Sequence, residues 1–186
     1  MKTLIFNGSP RKNGDTVSLL RALTGSLRGE FRVVDCYREN ISPCIDCRSC
    51  RKELKCVLDD GMQEIYRYIE ECDNVVIASP IYYAELTGKL LDAASRFQIY
   101  YSARYFRQEE PEIKPKKGGV ILVGGGDGDP KRAYATGKIL LRSLNVKEIF
   151  PLVCSHSTNT LPAAQDEEAV HAVEALAAFL NGSKGV

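Results

Sequence analysis

Short apolar runs that do not alternate with polar residues are the strongest constraint that this sequence places on its fold. Residues 2–6 (KTLIF), 74–78 (NVVIA) and 118–123 (GGVILV) are nearly continuous runs of this kind, and Gly or Ser stands within two residues after each. A half-exposed strand alternates apolar and polar residues, whereas a parallel strand covered on both faces does not. These runs therefore predict the central strands of a parallel sheet with helices on both sides.

Helical patterns separate the predicted strands along the chain. Apolar residues recur at helical spacing in 15–28, 60–72, 87–99, 131–143 and 165–180, and further strands are predicted at 31–35 and within 146–154. Five strands with crossover helices in 186 residues fit an α/β three-layer sandwich, with a five-stranded parallel sheet in the flavodoxin-like order 2-1-3-4-5. We expect one domain over residues 1–186. Residues 99–117, dense in charge and tyrosine, are expected to form a long, partly mobile connection, with a helix extension as the alternative.

The charge balance argues against polyanionic partners. The chain has 25 Lys+Arg and 24 Asp+Glu, for a formal net charge of +1, which gives no support for broad electrostatic binding to nucleic acid or anionic lipid. The apolar runs fall far short of the ~20 residues of a membrane helix, and the N-terminus lacks the apolar core of a signal peptide. We therefore expect a cytoplasmic protein with no nucleic-acid or membrane partner.

The loop after the first predicted strand has the composition of a phosphate site. In the 2-1-3-4-5 order, ligands bind at the carboxyl ends of the strands, where the order switches between strands 1 and 3. Residues 8–16 lead from that strand end into a helix, whose free amides would suit a phosphate together with Ser9, Arg11 and Thr16. The loop is neither a Walker loop nor Gly-x-Gly-x-x-Gly, so an ordinary capped turn is the alternative.

Two further loops border the same predicted crevice. Residues 79–87 carry Tyr82 and Tyr83, whose rings stack on a planar ligand or else cover a helix end. Residues 124–130 begin with three glycines, which let the backbone approach a ring closely or else form a flexible turn. Beside a phosphate loop, the aromatic pair suggests a phosphorylated aromatic cofactor.

The opening strand with GSPRKNGDT, the stretch SPIYYAELTGKLLDAASR and the strand spacing resemble the flavodoxin-like family of NADPH-dependent FMN reductases, over essentially the whole chain. The resemblance implies an FMN site with three groups of residues: Ser9, Arg11, Asn13 and Thr16 around the phosphate, Pro80, Ile81, Tyr82 and Tyr83 around the isoalloxazine ring, and Gly124, Gly125 and Gly126 on its other side. Asp15 is included in the site but departs from the family pattern, which usually has Gly-Asn-Thr at residues 14–16. A carboxylate beside a phosphate is unfavourable unless it points outward to cap the helix or pairs with Arg11 or Lys12.

Four of the seven cysteines stand close together in the connection 36–59. Cys44, Cys47, Cys50 and Cys56 form the run C-x2-C-x2-C-x5-C. Such spacing suits one cubic iron–sulfur cluster, although the last gap is longer than in bacterial ferredoxins and no proline follows it. Zinc, which normally uses two separated ligand pairs, and reduced thiols or adventitious disulfides are the alternatives. Because the loop leaves the sheet at the ligand edge, we expect a cluster there to exchange electrons with a bound flavin.

This cysteine run is similar to that of the iron–sulfur flavoproteins, which are relatives of the same reductase family. The resemblance implies a [4Fe–4S] cluster on the four cysteines and a homodimer or homotetramer that brings cluster and flavin together. A similar loop also occurs in family members not known to hold a cluster, so bare thiols stay open. The basic residues of the loop either balance a cluster's charge and lower thiol pKa values or form a solvated face. The tyrosine-rich residues 99–106 are the candidate subunit contact.

These observations predict an FMN-dependent oxidoreductase, with NAD(P)H as co-substrate and a small-molecule or protein electron acceptor. No protein acid or base is expected to be catalytic, because the flavin carries the chemistry. A cluster would shift the function toward one-electron transfer. Two alternatives come from other classes: a non-enzymatic redox or metal sensor that uses the loop 44–56, and a binder of a phosphorylated sugar or nucleotide without flavin.

The remaining cysteines and the two histidines are expected to be mainly structural. Cys36, Cys72 and Cys154 stand at strand or helix ends, where a thiol is most often a small buried hydrophobic group. His156 follows the fifth predicted strand and is a weak candidate for the ligand edge. His171 is expected on the surface of the last helix.

Overall fold

The computed structural model describes residues 1–182, so the last residues of the predicted 1–186 domain lie outside the described part. Within it, six strands form one parallel sheet: Lys2–Asn7 (β1), Glu30–Asp35 (β2), Asn74–Pro80 (β3), Lys116–Val123 (β4), Val146–Ile149 (β5) and Val153–Ser155 (β6). The order β2-β1-β3-β4-β5 confirms the predicted arrangement. The sixth strand, β6, pairs with β4 as β5 does, but with the C-terminal end of β4.

Helices cover both faces of this sheet. They are Asp15–Ser26 (α1), Met62–Glu71 (α2), Gly88–Ser95 (α3), Gln98–Ser102 (α4), Lys131–Ser143 (α5) and Glu167–Leu180 (α6). Leu19 of α1 and Leu176 of α6 share one buried cluster, whereas Ile65 of α2, Leu90 of α3 and Leu141 of α5 belong to a second. The sheet separates the two clusters, and the predicted three-layer sandwich is confirmed.

The central strands are buried along almost their whole length. In β1 the side chains of Leu4 and Ile5 are fully buried, and in β3 the same holds for Val75 and Val76. Fully burying one such side chain contributes about 1.5–3 kcal/mol to the stability of the fold. Apolar residues are therefore favoured on both faces of each strand. The absence of alternation in the sequence follows directly from this double coverage.

The region 146–154 contains two strands instead of the one that the sequence predicted. β5 pairs with the first residues of β4, and β6 pairs with Ile121–Val123 at the far end of the same strand. Pro151 lies between them and has no backbone N–H to donate to the ladder. The pairing therefore stops at the proline and resumes beyond it.

The stretch 98–107 is helical, so the expectation of a partly mobile connection is wrong there and the helix extension is right. α4 continues into a π-helical turn at Ala103–Arg107. Ile99, Tyr100 and Ala103 are at most 5% exposed, which gives the extension a buried face. By contrast, a 3-10 turn at Ser49–Arg51 is the one regular element described between β2 and α2, as the predicted cysteine-rich loop requires.

Across residues 1–182, none of the helices is long and apolar enough to cross a membrane.

Candidate functional site

Four loops meet at the edge of the sheet where the parallel strands end. They follow β1, β3, β4 and β6 and enclose a cavity of about 180 Å3. Of the predicted residues, the cavity is lined by Ser9, Arg11, Asp15, Thr16, Pro80, Ile81, Tyr82 and Gly125. Asn13, Tyr83, Gly124 and Gly126 belong to the same loops but lie outside the lining. The cavity is therefore at the predicted switch point of the strand order.

Helix α1 begins at this cavity with backbone amides that no side chain caps. Its N-cap, Gly14, is extended and carries no side-chain hydrogen bond. Free amides at a helix start carry partial positive charge, and Arg11 stands on the same wall. Ser9 and Thr16 are buried beside them. The wall thus combines positive potential with hydroxyl groups, which is the chemistry of an anion site.

Two polar side chains of the loop after β1, those of Asp15 and Asn13, form hydrogen bonds with residues outside the loop. Asp15 Oδ1 accepts a hydrogen bond from the backbone N–H of Ala163 at 2.9 Å, which ties the carboxylate to the turn before α6. Its partner is thus neither Arg11 nor Lys12, and the carboxylate does not cap its own helix. Asn13 Oδ1 accepts from Arg21 Nη2 at 2.6 Å. Both contacts brace the loop from outside and leave its amides free.

The loop after β3 presents its tyrosines on a tight turn. The backbones of Tyr82 and Glu85 exchange hydrogen bonds at 2.9 and 3.0 Å. The two residues between them, Tyr83 and Ala84, have φ of 51° and 62°, the left-handed pair typical of a two-residue turn. Outside glycine this conformation costs about 1–2 kcal/mol per residue. The turn leaves Tyr82 47% exposed at the cavity mouth and Tyr83 fully exposed beyond it.

The segment after β6 is joined to the glycine loop after β4. The backbone N–H groups of Thr158 and Asn159 donate to the carbonyls of Gly124 and Gly125 at 3.1 and 3.2 Å. A Cβ added to Gly125 would lie 3.0 Å from the Asn159 amide group, so only glycine fits without displacing it. Thr158 and Asn159 both line the cavity. Sequence reasoning did not select them, although their polar run follows the last strand at the ligand edge.

His156 lies just behind this wall. Its Nε2 is 3.2 Å from the sulfur of Cys154, and its Nδ1 is buried without a hydrogen-bond partner. Burial raises the pKa of Cys154 to about 11, so the neutral thiol is the partner of the ring. Cys36 and Cys72, at 4% and 0% exposure, confirm the expectation of buried thiols, whereas Cys154 is only half-buried.

A second cavity, of about 460 Å3, contains all four clustered cysteines. Cys44 and Cys47 are exposed, Cys50 and Cys56 are half-buried, and none of them forms a disulfide. The basic side chains of this lining are Arg48, Arg51, Lys55 and Arg96. Hydrogen bonds from the backbone and hydroxyl of Ser49 lower the pKa of the Cys47 thiol. The donor set, four thiols among cations, fits a metal–sulfur group.

The four thiols do not surround a common point in this structure. In the part of the chain that the structure describes, no three Cys, His, Asp or Glu side chains are grouped closely enough to hold a metal ion. The two cavities also share no lining residue. The cysteine cavity is built on the C-terminal end of α3 and on the helical segment after it, whereas the first cavity adjoins the strand ends.

Comparison with known proteins places these features in a family. Residues 1–159 match the family described as NADPH-dependent FMN reductase. An iron-sulfur flavoprotein of Archaeoglobus fulgidus is 34% identical over 134 residues, which cover 70% of this chain and 58% of that protein. The chain spans 58–64% of the length of the first curated relatives that it matches.

Solved structures share the fold at low identity. An NAD(P)H:quinone oxidoreductase from Methanothermobacter marburgensis superposes with a TM-score of 0.68 at 19% identity over 96% of both chains. An FMN-dependent NADH-azoreductase from Bacillus anthracis, solved in complex with FMN, gives a TM-score of 0.70 at 16% identity over 97% of this chain and 100% of that chain. These likenesses support the flavodoxin-like architecture.

Proposed function

The chain belongs to the NADPH-dependent FMN reductase family, and we propose that it is an FMN-dependent oxidoreductase that passes electrons from NAD(P)H or a reduced carrier to an acceptor. The observation that carries this proposal is the uncapped start of α1 beside Arg11, in a cavity at the switch point of the sheet. A dianionic phosphate ester is the ligand that such amides and a guanidinium favour.

The phosphate end of the site is built by residues that need little adjustment. Ser9 is 3% exposed and held by Asn7, whose Oδ1 accepts from the Ser9 N–H at 3.0 Å. Thr16 stands in the first turn of α1, and Arg11 completes the wall. In this proposal these three side chains and the helix amides bind the phosphate, while Asn13 and Asp15 brace the loop through Arg21 and Ala163.

The part of the proposed site that binds the flavin ring extends beyond this cavity. A volume of about 180 Å3 is below the ~300 Å3 at which ligand pockets usually begin. We assign the remainder of the flavin site to the rim formed by Pro80, Ile81, Tyr82 and Tyr83, with the backbone of the glycine loop 124–126 opposite. The exposure of Tyr82 and Tyr83 leaves this rim open to a second substrate.

FMN, when bound, accepts a hydride from a nicotinamide and releases electrons singly or in pairs. The chain's own residues bind and orient it: Arg11 and the α1 amides fix one end, and Thr158 and Asn159 fix the wall beside Gly125. In this account the protein supplies no essential acid or base.

The test is FMN binding followed by turnover. The purified chain is titrated with FMN by fluorescence quenching, and NADH or NADPH oxidation is then followed with a quinone as acceptor. The proposal expects saturable binding and sustained, FMN-dependent oxidation. Binding without turnover from any donor would favour the redox sensor, and a chain that binds no FMN would favour the flavin-free phosphate binder.

A second candidate function is one-electron transfer through a [4Fe–4S] cluster on Cys44, Cys47, Cys50 and Cys56. Two observations favour it: the four thiols line one cavity rich in cations, and several relatives are named iron-sulfur flavoproteins. Zinc and bare thiols remain the competing occupants. Iron and sulfide analysis after anaerobic reconstitution separates them, since only the cluster gives both elements in stoichiometric amounts.

We also propose a homodimer or homotetramer in which residues 99–106 contact a second copy. Support comes from Tyr101, Tyr105 and Phe106, which are 50%, 66% and 43% exposed. The two tyrosine rings stack on each other, and the Phe106 ring meets both of them edge-on. Since the two cavities of one chain share no residue, a neighbouring copy offers the route by which a cluster and a flavin approach each other.

A further inference from the structure

The cysteine loop is anchored along one helical segment, residues 95–107, which we call the platform. The backbone N–H of Cys44 donates to Ser95 Oγ at 2.9 Å. The thiol of Cys50 donates to Ser102 Oγ at 3.2 Å, and the Arg107 guanidinium donates to the Cys50 carbonyl. The platform therefore contacts the loop at two of its four cysteines.

Arg96 joins the two ends of the same loop. Its side chain is fully buried, and its Nη1 donates to Asp60 Oδ2 at 2.7 Å and to the Ser42 carbonyl at 2.9 Å. Its Nη2 donates to the Leu58 carbonyl at 3.4 Å. Asp60 in turn accepts the Ser42 N–H at 3.0 Å. Because Ser42 precedes Cys44 and Leu58 follows Cys56, this ion pair closes the loop that carries the thiols.

One N–H donor of the Arg96 guanidinium takes part in none of these contacts. Its Nε is buried and has no hydrogen-bond partner, although Arg96 lines the cysteine cavity. An unpaired buried N–H is costly, so buried donors are normally matched to an acceptor. The other basic residues of this lining are engaged or solvated: Arg48 pairs with Asp46 on the exposed side, and Arg51 stacks on the Phe106 ring at 3.9 Å.

We infer that Arg96 is a positioning residue of the cysteine cavity. It links the two ends of the loop to the platform, and its Nε–H donates a hydrogen bond to a sulfur of the group that the four thiols hold. The donor role rests on the proposed cluster, whereas the tie between the loop ends does not. A buried cation and an N–H···S hydrogen bond both favour the more negative, reduced form of a cluster. Arg96 therefore raises the reduction potential of the site.

The positioning role is tested on the metal-free chain by amide hydrogen exchange. Arg96→Lys keeps the charge but loses the forked contacts to Ser42, Leu58 and Asp60. We expect exchange in residues 42–58 to become at least about tenfold faster, since a charge-assisted contact is worth about that factor. Arg104→Lys is the matched control, because Arg104 lies on the same platform and pairs with Glu110 outside the cavity. Equal exchange in the wild type and Arg96→Lys would overturn the positioning role.

The donor role is tested by a redox titration of the reconstituted chain. At a fixed potential near the midpoint, the ratio of reduced to oxidised cluster should fall about tenfold in Arg96→Lys, which lacks the Nε–H, and stay unchanged in Arg104→Lys. Asp60→Asn removes the counter-charge of Arg96 and should shift the ratio in the opposite direction. A merely structural role would lower iron content in both variants without opposite shifts, and that result would overturn the donor role.

Iron content separates the two levels of the proposal. A wild-type chain that takes up no iron and sulfide would overturn the cluster and the donor role together, and the exchange comparison would still decide the positioning role. A wild-type chain that takes up a cluster, with the same midpoint potential in all three variants, would overturn the donor role alone.

Discussion

Asp15 illustrates how a single unfavourable residue is accommodated in an anion site. Its carboxylate stands at the start of α1, where a phosphate is expected, yet one oxygen accepts the N–H of Ala163. This hydrogen bond directs negative charge toward the turn before α6. The family pattern makes Asp15 conspicuous in the sequence, but its partner is distant in the chain and becomes visible only in the fold.

At the same scale, Arg11→Ala should weaken FMN binding by about tenfold or more, because a charge-assisted hydrogen bond contributes about 1.5–3 kcal/mol. Fluorescence titration measures this change. Lys12→Ala is the matched control, since Lys12 is an exposed cation of the same loop that does not line the cavity. Equal losses in both variants would mean that only general charge, and not the guanidinium, attracts the ligand.

Gly125→Ala should also weaken FMN binding, because the new Cβ would lie 3.0 Å from the amide group of Asn159 and displace that side chain, which lines the cavity. Gly128→Ala is the control, since a Cβ there meets nothing within 4 Å. Isothermal titration calorimetry on both variants gives the comparison. Unchanged affinity in Gly125→Ala would show that the wall formed by residues 124–126 does not contact the ligand.

Residue types at strand ends were predictable, whereas contacts between distant segments were not. Ser9, Arg11 and Tyr82 stand in loops whose composition already indicates a ligand site, and the structure brings them to one cavity. Thr158 and Asn159 join that cavity through backbone bonds to the glycine loop. No local sequence pattern predicts this contact between the two loops, because they come together only when β4 and β6 pair in the sheet.

At the scale of elements, the cysteine loop is irregular but well tied. Beyond the Arg96–Asp60 pair, Gln63 Nε2 donates to the carbonyls of Cys56 and Leu58 at 3.2 and 2.6 Å. The loop is therefore held by α2 on one side and by the platform on the other. Spacing predicted the loop and its thiols, but the buried arginine that contacts both ends of the loop lies some 40 residues further along the chain.

Asp60→Asn should lower the free energy of unfolding by about 3–5 kcal/mol at neutral pH, since it leaves Arg96 buried without a counter-charge. Burial alone would raise the pKa of Asp60, but the hydrogen bonds from Arg96, Ser42 and Met62 hold it below its ordinary value. A carboxyl with a depressed folded pKa stabilises the fold above its unfolded pKa of about 4 and loses this contribution as pH falls through the folded value.

Urea unfolding of the metal-free chain over a pH series measures this effect. The difference between wild type and Asp60→Asn should be full above about pH 5 and shrink below about pH 4. Asp92→Asn is the control, because the Asp92–Lys89 pair is exposed and contributes at most about 1 kcal/mol. A difference that is independent of pH would show that the carboxylate charge of Asp60 is not what stabilises the loop.

The order of the strands was predictable because covered parallel strands and crossover helices leave few topologies. The details that differed have local causes: Pro151 splits the last strand, and the buried face of Ile99, Tyr100 and Ala103 extends α3 into further helical turns. The composition of this segment, rich in charge and tyrosine, did not indicate the buried face, because the exposed side of the same segment carries Tyr101 and Tyr105.

At the scale of the whole molecule, the two cavities lie apart on one chain and an exposed aromatic cluster lies beside the second. Tyr101 and Phe106 line the cysteine cavity, and Tyr105 stacks on Tyr101 with ring centroids 5.3 Å apart. Electron exchange between a cluster and a bound flavin stays a prediction, and the aromatic cluster supports the proposal that a second copy completes the path.

Light scattering coupled to size-exclusion chromatography tests that assembly. The wild type should elute as a dimer or tetramer, and Tyr105→Glu should shift it toward the monomer, because a charge would be placed in the aromatic contact. Phe31→Glu is the control, since Phe31 is a similarly exposed aromatic residue on the edge strand β2. A monomeric wild type at micromolar concentration would contradict the proposed contact.

The most direct test of the central claim is an anaerobic absorption spectrum of the FMN-loaded chain before and after addition of NADH or NADPH, and again after a quinone. We predict stoichiometric bound FMN whose visible band is bleached by a reduced nicotinamide and restored by the quinone. A chain that retains no FMN, or bound FMN that neither nucleotide nor a reduced ferredoxin bleaches, would contradict the account.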